Sequence, residues 1–321
     1  MDLGADGRNC GGCGVACGAA TACVSSKCLP VGAFVVSRLF LGDTTRAGVT
    51  SSTAWRDIGE NVDGRTSSAA STDVCTPYAG AAKSVHEDGA GGIDNAWGKA
   101  IVPIITGVAP GISQQANDAI ASGRSPLVLR FDGYSGQLDL PALPLSALDA
   151  APLGSPRFDG TDRWPIFARS YDGSGAAKVV FAGASVSAGN VTTGARSRSL
   201  LLRLPSGTAS FDLVIGVARI TATLSPKGLA QGTISGVIPV ESLVQSFRLA
   251  LAQSPMAPLC SGSTLDAVLQ QVRQAADVLA DGSQDPNKPC DGISIGIGFE
   301  ATHVGVGDTA ADPPPPPNYC P

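Results

Sequence analysis

At 321 residues and 43% hydrophobic content, the chain can bury the core of one large domain or of two smaller ones. Its 22 Lys and Arg stand against 27 Asp and Glu without forming a basic cluster, which argues against a nucleic-acid partner because phosphate binding needs a concentrated positive face. Charged residues make up only 15%, while 40 Gly and 23 Pro favour short strands joined by many turns over long solvated helices, and no stretch is apolar enough to cross a membrane as a helix.

In chain order, residues 1–30 hold five of the nine cysteines and too few apolar side chains for a core, so this first module must be held by disulfides. Ala33 to Leu41 (AFVVSRLFL) reads as a strand opening the main domain. Residues 42–92 are loop-rich, and repeated Asp-Gly pairs such as Asp63-Gly64 and Asp88-Gly89 mark turns, since Asp bonds its own following backbone and Gly accepts positive φ. Asn95 to Ile105 predicts a helical stretch interrupted at Pro103. Ile112 to Ser122 predicts a second, with Ile112, Ala116, Ala119 and Ile120 on one face. From residue 126 to 239 the texture is β, in runs such as PLVLRF, SLLLRL and FDLVIGVARITATL bounded by turn residues. Helices are expected over Val240–Ala252, with Pro239 placed for a first turn, and over Thr264–Ala280, with its apolar residues on one stripe. Ile293, Ile295, Ile297 and Phe299 alternate with Ser and Gly as in a strand with one buried face. The expected fold is therefore mainly β: a β-sandwich or jelly-roll-like domain over 33–310 with a few packed helices, preceded by the disulfide-rich module. Residues 311–321 form a tail in which Pro313–Pro317 is a stiff polyproline spacer ahead of Cys320.

Nine cysteines in this pattern predict an oxidising compartment, extracellular or at an outer-membrane surface. Cys10, Cys13, Cys17, Cys23 and Cys28 are an odd set. An upstream segment carrying an export signal, a lipid anchor and a partner for the fifth cysteine is the expected reason, with a free thiol as the alternative. In the body, Cys260 and Cys290 bracket the second C-terminal helix and are expected to pair, leaving Cys75 with Cys320; four cysteines allow three pairings. The CGGC at Cys10–Cys13 has redox or zinc spacing, but its Gly-rich surroundings offer neither strand nor helix, which favours a disulfide knot. The stretch NCGGCGVACGAATACVSSKC resembles the cysteine-rich repeat of stigma-specific-type secreted proteins, although that family's adjacent cysteine pair is absent; the resemblance implies export and a disulfide module. GENVDGRTSS, HEDGAGGIDNAWG, FDGTDRW and CDGISIGIGFEAT resemble a family of secreted or lipoprotein-type myxobacterial proteins, a likeness that spans most of the body and implies no particular activity.

Two acidic loops, Gly59–Ser68 and His86–Gly98, contain the oxygen density that Ca²⁺ requires, and Asn61, Asp63, Asp88, Asp94 and Asn95 are the candidate ligands. Turn and helix-cap chemistry is the competing reading, with Asp94 or Asn95 capping a helix that starts at Ala96. With only His86 and His303, the latter expected at the surface, and no G-x-S-x-G elbow, catalysis reduces to a carboxylate pair of glycosidase type, for which Glu241 and Glu300 are the least turn-like acids. Trp55, Trp97 and Trp164 are candidates for a sugar-stacking platform or for core anchors. The expected function is a secreted or cell-surface binding or structural protein, holding carbohydrate or another envelope component through a Ca²⁺-ordered loop, with a secreted hydrolase as the alternative.

Overall fold

The computed structural model describes residues 3–4, 6–17, 21–24, 26–30, 32–196, 198–206, 209–253 and 260–320. In the N-terminal module, Thr21–Val24 (β1) and Lys27–Pro30 (β2) pair as an antiparallel hairpin. The disulfides Cys10–Cys23 and Cys17–Cys28 tie the preceding loop to each strand, cross-links taking the place of a core. Cys13 is exposed and belongs to neither disulfide.

Ala33–Phe40 (β3) sends Phe34 and Val36 to one face and Ala33 and Val35 to the other, and both sets are buried. A strand with two apolar faces has to be covered on both sides, and two layers do this. On one side lies the main core, built by Val102–Val108 (α1), Ile112–Ala121 (α2) and the central strands. These are Val128–Phe131 (β4), Leu145–Leu148 (β5), Arg198–Ser206 (β10), Ala209–Ser225 (β11) and Gly228–Pro239 (β12), joined by the helices Val240–Ala252 (α3) and Ser263–Gln274 (α4) and the strand Gly292–His303 (β13). On the other side, Arg163–Phe167 (β6) and Gly305–Ala310 (β14) form a parallel pair. Trp164, Ile166 and the neighbouring Val304 close over Val35, Val128 and Leu148. With the short strands Val180–Phe181 (β7), Ser185–Ser187 (β8) and Asn190–Thr192 (β9), the large sheet runs β7-β5-β4-β3-β13-β12-β11-β9-β8, with β10 also on β11 and every pairing antiparallel. The body is thus mainly β with packed helices.

α3 begins directly after Pro239 and spans the residues its sequence predicts. Pro103 does not interrupt its helical stretch: a π-turn over Trp97–Ile101 runs into α1, and Pro103 falls in the first turn, where its missing N–H is not required. α4 stops at Gln274, short of the predicted Ala280, because the chain turns at Asp277 and Val278 to bridge Gly292 at the root of β13. The alternation in β13 carries a different meaning from the expected single buried face. Its isoleucines enter the main core, but Ser294 and Gly296 are buried as well, because a layer of loops lies against the strand; a Cβ on Gly296 would stand 2.4 Å from the Ile58 carbonyl oxygen. His303 is buried against Phe34, with ring centroids 4.8 Å apart, rather than at the surface.

The body's disulfides are Cys75–Cys290 and Cys260–Cys320, correcting the expected Cys260–Cys290 and Cys75–Cys320. Residues 75–76 run beside residues 288–290 through a parallel bridge, with Cys290 N–H donating to the Thr76 carbonyl at 2.9 Å, so Cys75 meets Cys290 across this bridge. That leaves Cys260 to fasten the proline tail.

Candidate functional site

β13 pairs with β12 along nearly its whole length but with β3 only from Gly298 onward. Along Gly292–Gly296 the vacated edge is filled by loop side chains that bond the strand backbone. The Asp277 carboxylate accepts the Ser294 N–H (2.8 Å) and hydroxyl (2.5 Å). The Asn95 carboxamide accepts the Gly296 N–H (3.0 Å) and donates to the Gly296 carbonyl (3.1 Å). Asn95 also donates to the Ile58 carbonyl (2.7 Å) and accepts the Gly98 N–H (2.9 Å), capping the turn that leads into α1. Both ends of its side chain are therefore committed to backbone, so the expectation of Asn95 as a Ca²⁺ ligand is corrected. Replacing Asn95 by Ala leaves several buried backbone groups without partners, and an unfolding free energy lower by about 3 kcal/mol is expected in denaturant titration.

Asn61 is likewise used within its own turn: its side-chain oxygen accepts the Gly64 N–H (2.6 Å) and its amide donates to the Arg65 carbonyl. Asp63, Asp88 and Asp94 do converge. Asp94, 2% exposed, accepts the Val62 N–H (2.6 Å) and the Asp63 N–H (3.3 Å). Asp88, 9% exposed, accepts the Ser67 N–H, and its charge bears on Asp94. Asp63 accepts from Gln284, whose amide also donates to the Asp277 carbonyl, so one side chain joins the first acidic loop to the Asp277 turn.

The electrostatics follow from burial. Asp94 is pushed up to about 9, first by desolvation and then by the charges of Asp277, Asp63 and Asp88. Asp277 rises to about 7 through desolvation, against the opposing effect of its two bonds from Ser294. Desolvation also raises Asp88. Among the described residues no Lys or Arg forms an ion pair with any of the four acids. Lys99 is turned to the carbonyls of Ser84 and Glu87, and Arg196 to Glu60 (2.7 Å) and Ser235 (3.2 Å). A buried carboxylate group without basic partners has to be neutralised by protons or by a bound cation.

The remaining candidates stand elsewhere. Trp55, Trp97 and Trp164 are 5%, 0% and 0% exposed, so they are core anchors and not a sugar-stacking platform. Trp164 donates its indole N–H to the Ala151 carbonyl (2.9 Å). Glu241 forms a two-point ion pair with Arg273 (2.7 and 2.9 Å) in the first turn of α3, whereas Glu300 lies on β13 in the field of Arg46. Burial lowers the basicity of His86, whose Nδ1 lies 3.0 Å from the Asp277 carbonyl. Among the described residues, the sets of three metal-ligand side chains with donor atoms within 4.8 Å are Cys10/Cys17/Cys28 and Cys75/His86/Cys290, whose cysteines are in disulfides; the acidic loops supply no such triad.

Sequence reasoning missed Asp277, Ser294 and Gln284. The available signal was Asp277 itself, an acid between Ala276 and Val278 at the end of an apolar stripe rather than ahead of a turn-forming Gly. Against family models, curated proteins and solved structures, the chain finds no match. Any functional reading therefore rests on this geometry.

Proposed function

We propose that the protein is an extracytoplasmic binding or structural protein whose loop layer is ordered by Ca²⁺, with carbohydrate or another envelope component as its partner. The observation that carries this reading is the buried Asp88–Asp94 pair, flanked by Asp63 and Asp277 and without a basic partner among the described residues. A divalent cation that takes the place of the protons on these buried acids would be held by Asp88 and Asp94, with Asp63 and Asp277 contributing charge. The four disulfides support an oxidising location, and no helix among the described residues is long and apolar enough to cross a membrane.

Asp94→Asn is the direct test. The amide oxygen can still accept the Val62 N–H, so packing is kept while the capacity to ionise is removed. Thermal unfolding of the wild type is expected to shift upward by several degrees when millimolar CaCl₂ replaces EDTA, because a ligand that binds only the native state stabilises it. Asp94→Asn should unfold at the same temperature in both buffers. A wild type indifferent to Ca²⁺ overturns the cation reading. The Asp88–Asp94 pair also supports a hydrolase reading, since a carboxyl that holds its proton near neutrality is a general acid. Its burial leaves no room for a sugar ring, and release of reducing sugar from a polysaccharide panel, abolished in Asp94→Asn, is the result that would favour it.

A further inference from the structure

The tail that follows β14 is left unused by the reading above. Five consecutive prolines, Pro313–Pro317, restrict φ and also hold each preceding residue in the extended or polyproline II region, so residues 312–317 form a left-handed extended rod of about 15 Å. All five prolines are exposed. The run is nevertheless fixed at both ends. At its start, Asp312 accepts the Arg169 N–H (3.0 Å), and the Arg169 guanidinium is itself held by Asp149 (2.6 Å) and stacked over Phe167. At its end, Tyr319 N–H donates to the Ala252 carbonyl at the end of α3 (2.9 Å), and Cys320 is bonded to Cys260.

Between these anchors the rod stands off the body. A cavity of about 340 Å³ separates Pro313–Pro316 from Ser246, Leu249 and Gln253 of the α3 region, and Leu249 is 49% exposed beneath it. Among the described residues no donor reaches the carbonyls of Pro313–Pro317. A run packed as a structural strap would lay its rings on the apolar surface and cover its carbonyls, and this one does neither.

We propose that Pro313–Pro317 is a presented docking ligand for a protein groove lined with aromatic side chains, which grips the proline rings and donates hydrogen bonds to the bare carbonyls. The anchors remove in advance the conformational entropy that a free tail would lose on binding. The cavity behind the run gives a partner's side chains access to more than its outer edge.

The probe is an isolated WW domain selective for proline runs, titrated into the full-length oxidised chain and followed by fluorescence anisotropy. The wild type is expected to bind at least about tenfold more tightly than the variant Pro314→Ala/Pro315→Ala/Pro316→Ala, which keeps the anchors and loses the rings. The variant Cys260→Ser/Cys320→Ser, whose fold is checked by circular dichroism and by an intact Cys75–Cys290 disulfide, is expected to bind several-fold more weakly than the wild type. Failure of the wild type to bind above the triple variant overturns the docking proposal. Equal affinity of the wild type and the Cys260/Cys320 variant overturns the part of it that rests on anchoring. Loss of Ca²⁺-dependent stabilisation in Asp94→Asn leaves this binding untouched, so the two proposals fail independently.

Discussion

Replacing Cys75 and Cys290 together by Ser is expected to lower the unfolding free energy by about 5 kcal/mol, the loop-closure value for a cross-link spanning 215 residues. That approaches the whole stability of many domains, so the variant should unfold at far lower denaturant, or accumulate unfolded, while the wild type remains native. The disulfide's position adds to the effect. Cys75 and Cys290 are both buried, and they sit beside the bridge that sets residues 288–290 at the root of β13, next to His86 and the Asp277 turn. The loop layer that fills the vacated edge of β13 is therefore fastened covalently close to its acidic cluster. Removing the Cys260–Cys320 disulfide opens a shorter loop, and the released tail regains freedom in the native state too, so a smaller loss is expected there. Equal urea midpoints for the two disulfide variants would contradict this assignment of roles.

In metal-free buffer, stability is expected to fall as pH rises from about 7 to about 9, by about 3 kcal/mol from Asp94 alone. The sign follows from proton counting. Asp94 and Asp277 hold protons in the native state at pH values where the unfolded chain has lost them, so the native state is favoured at low pH and loses that advantage as pH rises through about 7 and then about 9. His86 works in the opposite direction, because burial favours its neutral form, but only in acid, below the ordinary histidine range; above pH 7 the aspartates act without it. Thermal unfolding in EDTA across this window tests the assignment. The wild type should lose stability with rising pH, Asp94→Asn should give a flatter profile, and on the cation reading Ca²⁺ should restore the wild type most where the aspartates are charged. A wild-type profile that is flat, or that rises, between pH 7 and 9 would place the buried protons elsewhere.

The sequence by itself determined what depends on short-range patterns. Glycine and proline punctuation with apolar runs marked a mainly β body, the 3.6-residue stripes located α2 and the start of α4, Pro239 marked the start of α3, and the five crowded cysteines required a disulfide module, because thirty residues so poor in apolar side chains cannot form a core. The acidic loops were legible as oxygen-rich turns. Only the tertiary structure decided which of their residues face one another, because that depends on where β3 leaves β13. Asp63, Asp88 and Asp94 were drawn together, Asn95 was taken up as a substitute for a missing strand, and Asp277 was brought in from the end of a helix that its apolar stripe had made to look longer. The disulfide pairing was decided in the same way. Nearness in sequence favoured Cys260 with Cys290, but a disulfide requires its Cα atoms about 5 to 6 Å apart, and the bridge between residues 76 and 289 supplied that proximity to Cys75 across 215 residues of chain.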